Sequence, residues 1–135
     1  MIERRDFLKG AMVTVSALTL GISSRASASQ SEPFAGVVYT KDNPGQWSAK
    51  VKSHAPEVKV EANKVALKTV HPMSAEHYIV RHTLVLADGT VVGGKTFQST
   101  DKAESSFDIP SGYKGKAYAT SFCNKHDFWL TEFSV

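Results

Sequence analysis

Five side chains in this sequence have the types and spacings from which a metal centre is built. His54 stands in His54-Ala55-Pro56, His71 in His71-Pro72-Met73 and His77 in Glu76-His77-Tyr78-Ile79. Cys123 and His126 share Cys123-Asn124-Lys125-His126. Imidazole suits iron, copper and zinc, and a thiolate adds a soft ligand. A Cys-x-x-His pair lets one short loop aim both side chains at a point. His71 and His77 are six residues apart across a proline-containing turn, so both can point into one site. Five donors exceed the four of a structural zinc site, which favours a metal that accepts five or six. Each signal is weak alone: an isolated histidine is more often packed or solvated, and a free cysteine is commonly a small core residue. Cys123 is the only cysteine, so no internal disulfide can form, and ligation would protect its thiol. His82 fits no motif. It lies in a strand-like stretch, where strict alternation turns it away from His77, and it is read as structural.

The elements that must hold these groups read as short strands. Apolar and polar residues alternate over 58–61, 64–70, 105–109 and 116–122; 78–87 is rich in β-branched and apolar residues, and 128–135 is a final candidate. Asp88-Gly89 with Thr90-Val91-Val92 reads as a hairpin turn and its return strand, while Asp42-Asn43-Pro44-Gly45 and Pro110-Ser111-Gly112 are breaks. No window of about 11–18 residues carries a helical period. About seven short strands over roughly 100 residues predict an all-β fold, an immunoglobulin-like antiparallel β-sandwich.

The start of the chain is of another kind. Arg4-Arg5-Asp6-Phe7-Leu8-Lys9 precedes an apolar run over 11–22 and the small-residue sequence Ala26-Ser27-Ala28. These are the parts of a cleavable secretory signal, and the arginine pair followed by Phe-Leu-Lys resembles the twin-arginine export signal. The run is shorter than the ~20 residues of a membrane-spanning helix. The expected organisation is a signal peptide over 1–28, a flexible segment over 29–44 and one domain over 45–135, exported to the periplasm without stable membrane association after cleavage. The twin-arginine route carries folded proteins, often with a cofactor already inserted. The formal charge of +3 is largely the leader's, since residues 1–30 hold Arg4, Arg5, Lys9 and Arg25 against Glu3 and Asp6. The remaining charges nearly balance and form no basic cluster, which excludes nucleic-acid binding.

Taken together, His71-Pro72-Met73, Glu76-His77-Tyr78-Ile79 and, about fifty residues on, Cys123-Asn124-x-His126 with Trp129 resemble the superoxide reductases of the neelaredoxin and desulfoferrodoxin group. His54-Ala55-Pro56 matches that family's His-x-Pro position. The resemblance implies one iron (Fe2+/Fe3+) per chain, held by His54, His71, His77 and His126 in a plane with Cys123 as the axial sulfur. It also implies an open position opposite the sulfur for superoxide, release of hydrogen peroxide, an unidentified external electron donor and a homo-oligomer. With one cysteine the chain looks like the one-iron form. Two positions depart from the pattern. The family's Glu-Lys pair before the first ligand is here Lys52-Ser53, leaving Lys52 as the candidate for attracting superoxide, with Lys50 nearby. Asp127 stands where glycine usually follows the last histidine.

Other readings remain open on the residues alone. A cupredoxin-like copper carrier would place a methionine after His126 and leave two histidines idle. A metal-free immunoglobulin-like module of a sulfur-oxidation complex shares a His-Pro-Met strand start but has no need of Cys-Asn-x-His. An iron-binding sensor on the same fold is compatible with the missing Glu-Lys pair.

Overall fold

In a computed structural model, residues 34–135 are described, and the alternation read from the sequence becomes eight strands within them. They are β1 (Val38–Tyr39), β2 (Glu57–Glu61), β3 (Lys64–Lys68), β4 (Ile79–Leu86), β5 (Val91–Thr96), β6 (Glu104–Asp108), β7 (Lys116–Cys123) and β8 (Asp127–Ser134). A 3₁₀ stretch, Gly45–Lys50, runs directly into α1, the single helical turn Val51–His54. The proposed leader lies outside the described residues. Among the described residues no helix is long and apolar enough to cross a membrane.

The strands form two sheets, β1-β8-β7-β4-β5 and β2-β3-β6, antiparallel throughout except that β1 runs parallel to β8. Period-two burial drives the pairing of the sheets. Val65 and Leu67 of β3 face Leu84 and Leu86 of β4 and Ala117 and Ala119 of β7, and the alternate residues of β3 are exposed lysines and an alanine. Alanine at 117 and 119 leaves room for the larger side chains opposite, including half-buried Phe107 and Phe133. A second, smaller core of Ile79, Phe97, Ala103 and Cys123 closes one end of the sandwich. The register shift between Ile79 and Arg81 lets both Ile79 and His82 point inward although they stand three positions apart. Strict alternation therefore fails at that point.

The all-β sandwich expected from sequence is the fold observed. One part of the expected organisation changes. The sequence predicts a flexible segment over 29–44 outside the domain, yet Val38–Tyr39 pairs with Phe128 and Trp129 of β8. Tyr39 is buried, its ring 5.5 Å from that of Trp129, and its hydroxyl donates to the Gly36 carbonyl at 2.8 Å. A large ring buried with its polar tip satisfied gives these two residues a reason to dock.

Candidate metal centre

Each of the five candidate ligands is placed by a different local device at the Cys123 end of the sandwich. His54 is the last residue of α1, and Pro56 ends the helix there by holding Ala55 extended at φ −65°, ψ 125°. Pro56 is itself buried, and its carbonyl accepts the Thr131 hydroxyl of β8 at 2.7 Å. His71 and His77 lie in the connection between β3 and β4. A tight turn joins Ser74 and His77, with backbone bonds in both directions at 3.0 and 3.2 Å. The Met73 sulfur accepts the Ile79 N–H at 3.4 Å and draws the loop onto the small core. Cys123 ends β7, and His126 sits in the three-residue turn to β8.

Asn124 locks these pieces to one another. Its side-chain oxygen accepts the Tyr78 N–H at 3.0 Å, its amide donates to the Glu76 carbonyl at 3.0 Å, and its own N–H donates to the Tyr78 carbonyl at 3.2 Å. Beneath the turn, the buried Trp129 indole donates to the His126 carbonyl at 3.0 Å. Sequence reading placed Asn124 and Trp129 in the motif without roles. Neither role is visible until the two loops are seen side by side.

The ligand nitrogens trace three sides of a square, and the rings of His54 and His71 close the fourth. His54 Nε2 lies 2.9 Å from His126 Nδ1, which lies 3.1 Å from His77 Nε2, which in turn lies 3.0 Å from His71 Nε2. Neighbouring rings around the square have centroids 4.4–4.8 Å apart and interplanar angles of 66–89°, whereas the diagonal pair His54 and His77 is 6.1 Å apart. Four nitrogens ~2.1 Å from a shared centre at right angles would be about 3.0 Å from their neighbours. Cys123 Sγ is 3.6 Å from His126 Nδ1 and 3.8 Å from His71 Nε2, two opposite corners of the square. Near-equal distances to opposite corners put the sulfur near the plane that bisects that diagonal, the plane that contains the axis of the square. All five donor atoms lie within 4.8 Å of one another.

Hydrogen bonding cannot account for all three of these short nitrogen–nitrogen distances at once. His54 Nδ1 faces the Lys50 carbonyl at 3.1 Å and the Ser53 hydroxyl at 2.8 Å, and His71 Nδ1 faces the Pro72 carbonyl. A carbonyl can only accept, so in both rings Nδ1 carries the proton and Nε2 presents a bare lone pair. With those two nitrogens bare, no choice of neutral tautomers for His77 and His126 puts one proton in each of the three contacts, and ring nitrogens crowded in this way form the donor set of a metal site. Burial lowers the pKa of every one of these histidines, that of His54 to about 4, with neighbouring rings adding repulsion at His54, His71 and His126. The neutral, ligating form is thus favoured through the neutral pH range.

After burial, lysine charges contribute to three of those shifts. Lys50, half-buried at the start of α1, acts on His71, His77 and His126, and Lys125 acts on His77 and His126. Asp127 acts on His126 in the opposite sense. Lys52 is exposed and is not among the groups acting on these rings. His82 lies outside the cluster, fully buried, with Nε2 2.8 Å from the Thr69 hydroxyl and Nδ1 2.8 Å from the Ser105 hydroxyl.

A two-sheet β-sandwich that converges four imidazoles and a cysteine sulfur at one end has the donor set of a metal-binding β-protein. Within that class, the family model described as Desulfoferrodoxin matches residues 46–132, and the chain belongs to that family. Among solved structures, it is similar to a variant of the superoxide reductase neelaredoxin of Ignicoccus hospitalis, with 23% identity, TM-score 0.65, and coverage of 78% of this chain and 98% of that one. It is also similar to a variant of the superoxide reductase neelaredoxin of Archaeoglobus fulgidus, with 25% identity, TM-score 0.54, and coverage of 62% and 90%. The superoxide reductase of Treponema pallidum gives 28% identity and TM-score 0.50 over 59% of this chain and 66% of that one. No curated protein matches.

Proposed function

We propose that this chain is a one-iron superoxide reductase, converting superoxide to hydrogen peroxide with one electron from an external donor and two protons. The observation that carries this reading is the convergence of four imidazole nitrogens, successive neighbours 2.9–3.1 Å apart, with the Cys123 sulfur 3.6 and 3.8 Å from two opposite corners. Family membership and the similar structures named as superoxide reductases support it. His54, His71, His77, His126 and Cys123 would hold the metal, and iron bound there would supply a one-electron couple and a coordination position for a small anion. Five donors suit it better than a closed tetrahedral zinc site.

The residues around the square would prepare the anion's approach. Lys50 and Lys125 give the site its positive potential, and a local excess of positive charge draws small anions by diffusion. Lys50 also holds His54 through its carbonyl, so the same residue fixes a ligand and supplies charge. Ser53 stands where the family pattern has lysine, and its hydroxyl bonds the Lys50 carbonyl at 3.2 Å and approaches the His54 ring. Protons would come from solvent at this half-buried rim. The leader adds a setting: the folded, loaded protein would work after export, supplied by a donor in that compartment.

Metal analysis with a visible spectrum of the oxidised protein tests the reading. One iron per chain with a sulfur-to-iron charge-transfer band is expected, and Cys123→Ser is expected to lose that band. Intense blue copper absorption, or a colourless metal-free protein that stays so when offered iron, would overturn it. Repeated pulses of superoxide in the presence of a reductant then separate an enzyme from a sensor, since only the enzyme goes on consuming superoxide beyond one equivalent per iron.

A further inference from the structure

The rings of the square are not all steadied in the same way. His54 and His71 each have the outer nitrogen on a backbone carbonyl. His77 lacks such a bond, but its backbone N–H and carbonyl are both tied to Ser74. His126 is the one ring that presents Nδ1 inward, and its Nε2 has no hydrogen-bond partner among the described residues. It sits in a short turn at the surface, where ring rotation costs little. What meets it is Trp47, edge-on, with ring centroids 4.7 Å apart and planes at 76°.

Two further features set Trp47 apart. The 3₁₀ stretch is interrupted at this residue, whose φ −103° and ψ 29° are non-helical and turn its side chain out of the regular path. Its indole N–H is the only buried side-chain polar atom among the described residues without a partner. A buried N–H left unpaired costs about 1–3 kcal/mol, and such groups are few in native proteins. Trp129, by contrast, is anchored by its indole N–H on the His126 carbonyl. Trp47 therefore keeps its place through its rings and not through its polar atom, and the ring it touches is a ligand.

We propose that Trp47 is the positioning residue of His126, fixing the orientation of that imidazole by aromatic packing where a backbone carbonyl fixes those of His54 and His71. The inference rests on the reading of the cluster as an iron centre. Trp47 belongs to the segment that leads into α1, so the same contact joins the element carrying Lys50 and His54 to the turn carrying Cys123 and His126. Loss of the ring would leave His126 free to rotate about its side-chain bonds, and the affinity of the square for metal would fall.

The test uses the full chain and the variants Trp47→Phe, Trp47→Leu and Trp47→Ala. Iron affinity is read by competition with a chelator, ligand geometry by the position and width of the oxidised charge-transfer band, and folding by circular dichroism. Trp47→Ala is expected to bind iron roughly tenfold more weakly, as is typical for the loss of a group that orients a ligand, and to broaden the band. Trp47→Phe, which keeps an aromatic ring and lacks the N–H, is expected within about twofold of the parent on that same scale. If Trp47→Ala does not fold, Trp47→Leu takes its place with the same expected loss. Parent-like affinity and band in the ring-less variant overturn the proposal, and so does a Trp47→Phe loss as large as that of Trp47→Ala, since the N–H would then be the active group. A parent protein that binds no iron fails earlier and overturns the iron reading itself.

Discussion

Lys50 and Lys52 are two residues apart in one helical turn, yet only Lys50 acts on the ligand rings. In extended chain successive side chains alternate by 180°, whereas in a helix each step turns by about 100°. A helix of four residues leaves no periodic trace, so the sequence alone suggests extended backbone here and points to Lys52. The ligands were legible for the opposite reason: histidine and cysteine are few, and the donor atoms of five residues spread over some seventy positions identify themselves by type. The two lysines make a prediction. Lys50→Ala should lower the second-order rate with superoxide roughly threefold or more and weaken its dependence on ionic strength, while Lys52→Ala stays within about twofold, the scale on which one charge at a focusing site acts. Pulse radiolysis at two salt concentrations measures both. Equal effects of the two substitutions would return Lys52 to the site.

At the scale of elements, the strands were readable wherever one face is buried, because period-two patterning is written by burial itself. β1 was missed since two residues cannot show a period and turn-forming residues follow them. The β7–β8 turn was readable as a motif but not as a backbone. Asp127 adopts φ 61° there, the left-handed region that glycine enters freely and other residues at a cost of about 1 kcal/mol. The departure noted at this position thus has a conformational consequence as well as an electrostatic one. Asp127→Gly should stabilise the metal-free protein by about 0.5–1 kcal/mol in urea unfolding at neutral pH; a loss of stability would mean that the carboxylate does more in the turn than the backbone cost offsets. Asn124→Ala should act differently. It removes both side-chain bonds that hold the β3–β4 loop against this turn, so iron affinity should drop roughly tenfold with the sheets intact. Chelator competition with circular dichroism separates those effects.

For the molecule as a whole, the two sheets are tied by one buried polar group as well as by apolar packing. His82 of β4 bonds Ser105 of β6 and Thr69 just beyond β3, and Thr69 bonds Ser121 of β7 at 2.9 Å. Burial, helped by the charge of Lys95, lowers the His82 pKa from 6.5 to about 4. The folded ring therefore stays neutral at a pH where the unfolded chain has already taken up its proton. Because the unfolded state binds more protons, stability falls as pH drops from about 6.5 towards about 4, and below that this group removes no more. Between pH 7 and pH 5 the loss from His82 alone should be about 2 kcal/mol. The ligand histidines also titrate in the metal-free protein, so the quantity to measure is a difference. His82→Gln retains polar atoms for the hydroxyls and cannot be protonated in this range. Its urea unfolding free energy, compared with the parent at both pH values, should be lower at pH 7, where repacking costs it, and should fall by about 2 kcal/mol less on acidification. Parallel losses in the two proteins would show that His82 shares its proton equally with the folded and unfolded states, and that acid sensitivity resides in the metal-site rings alone.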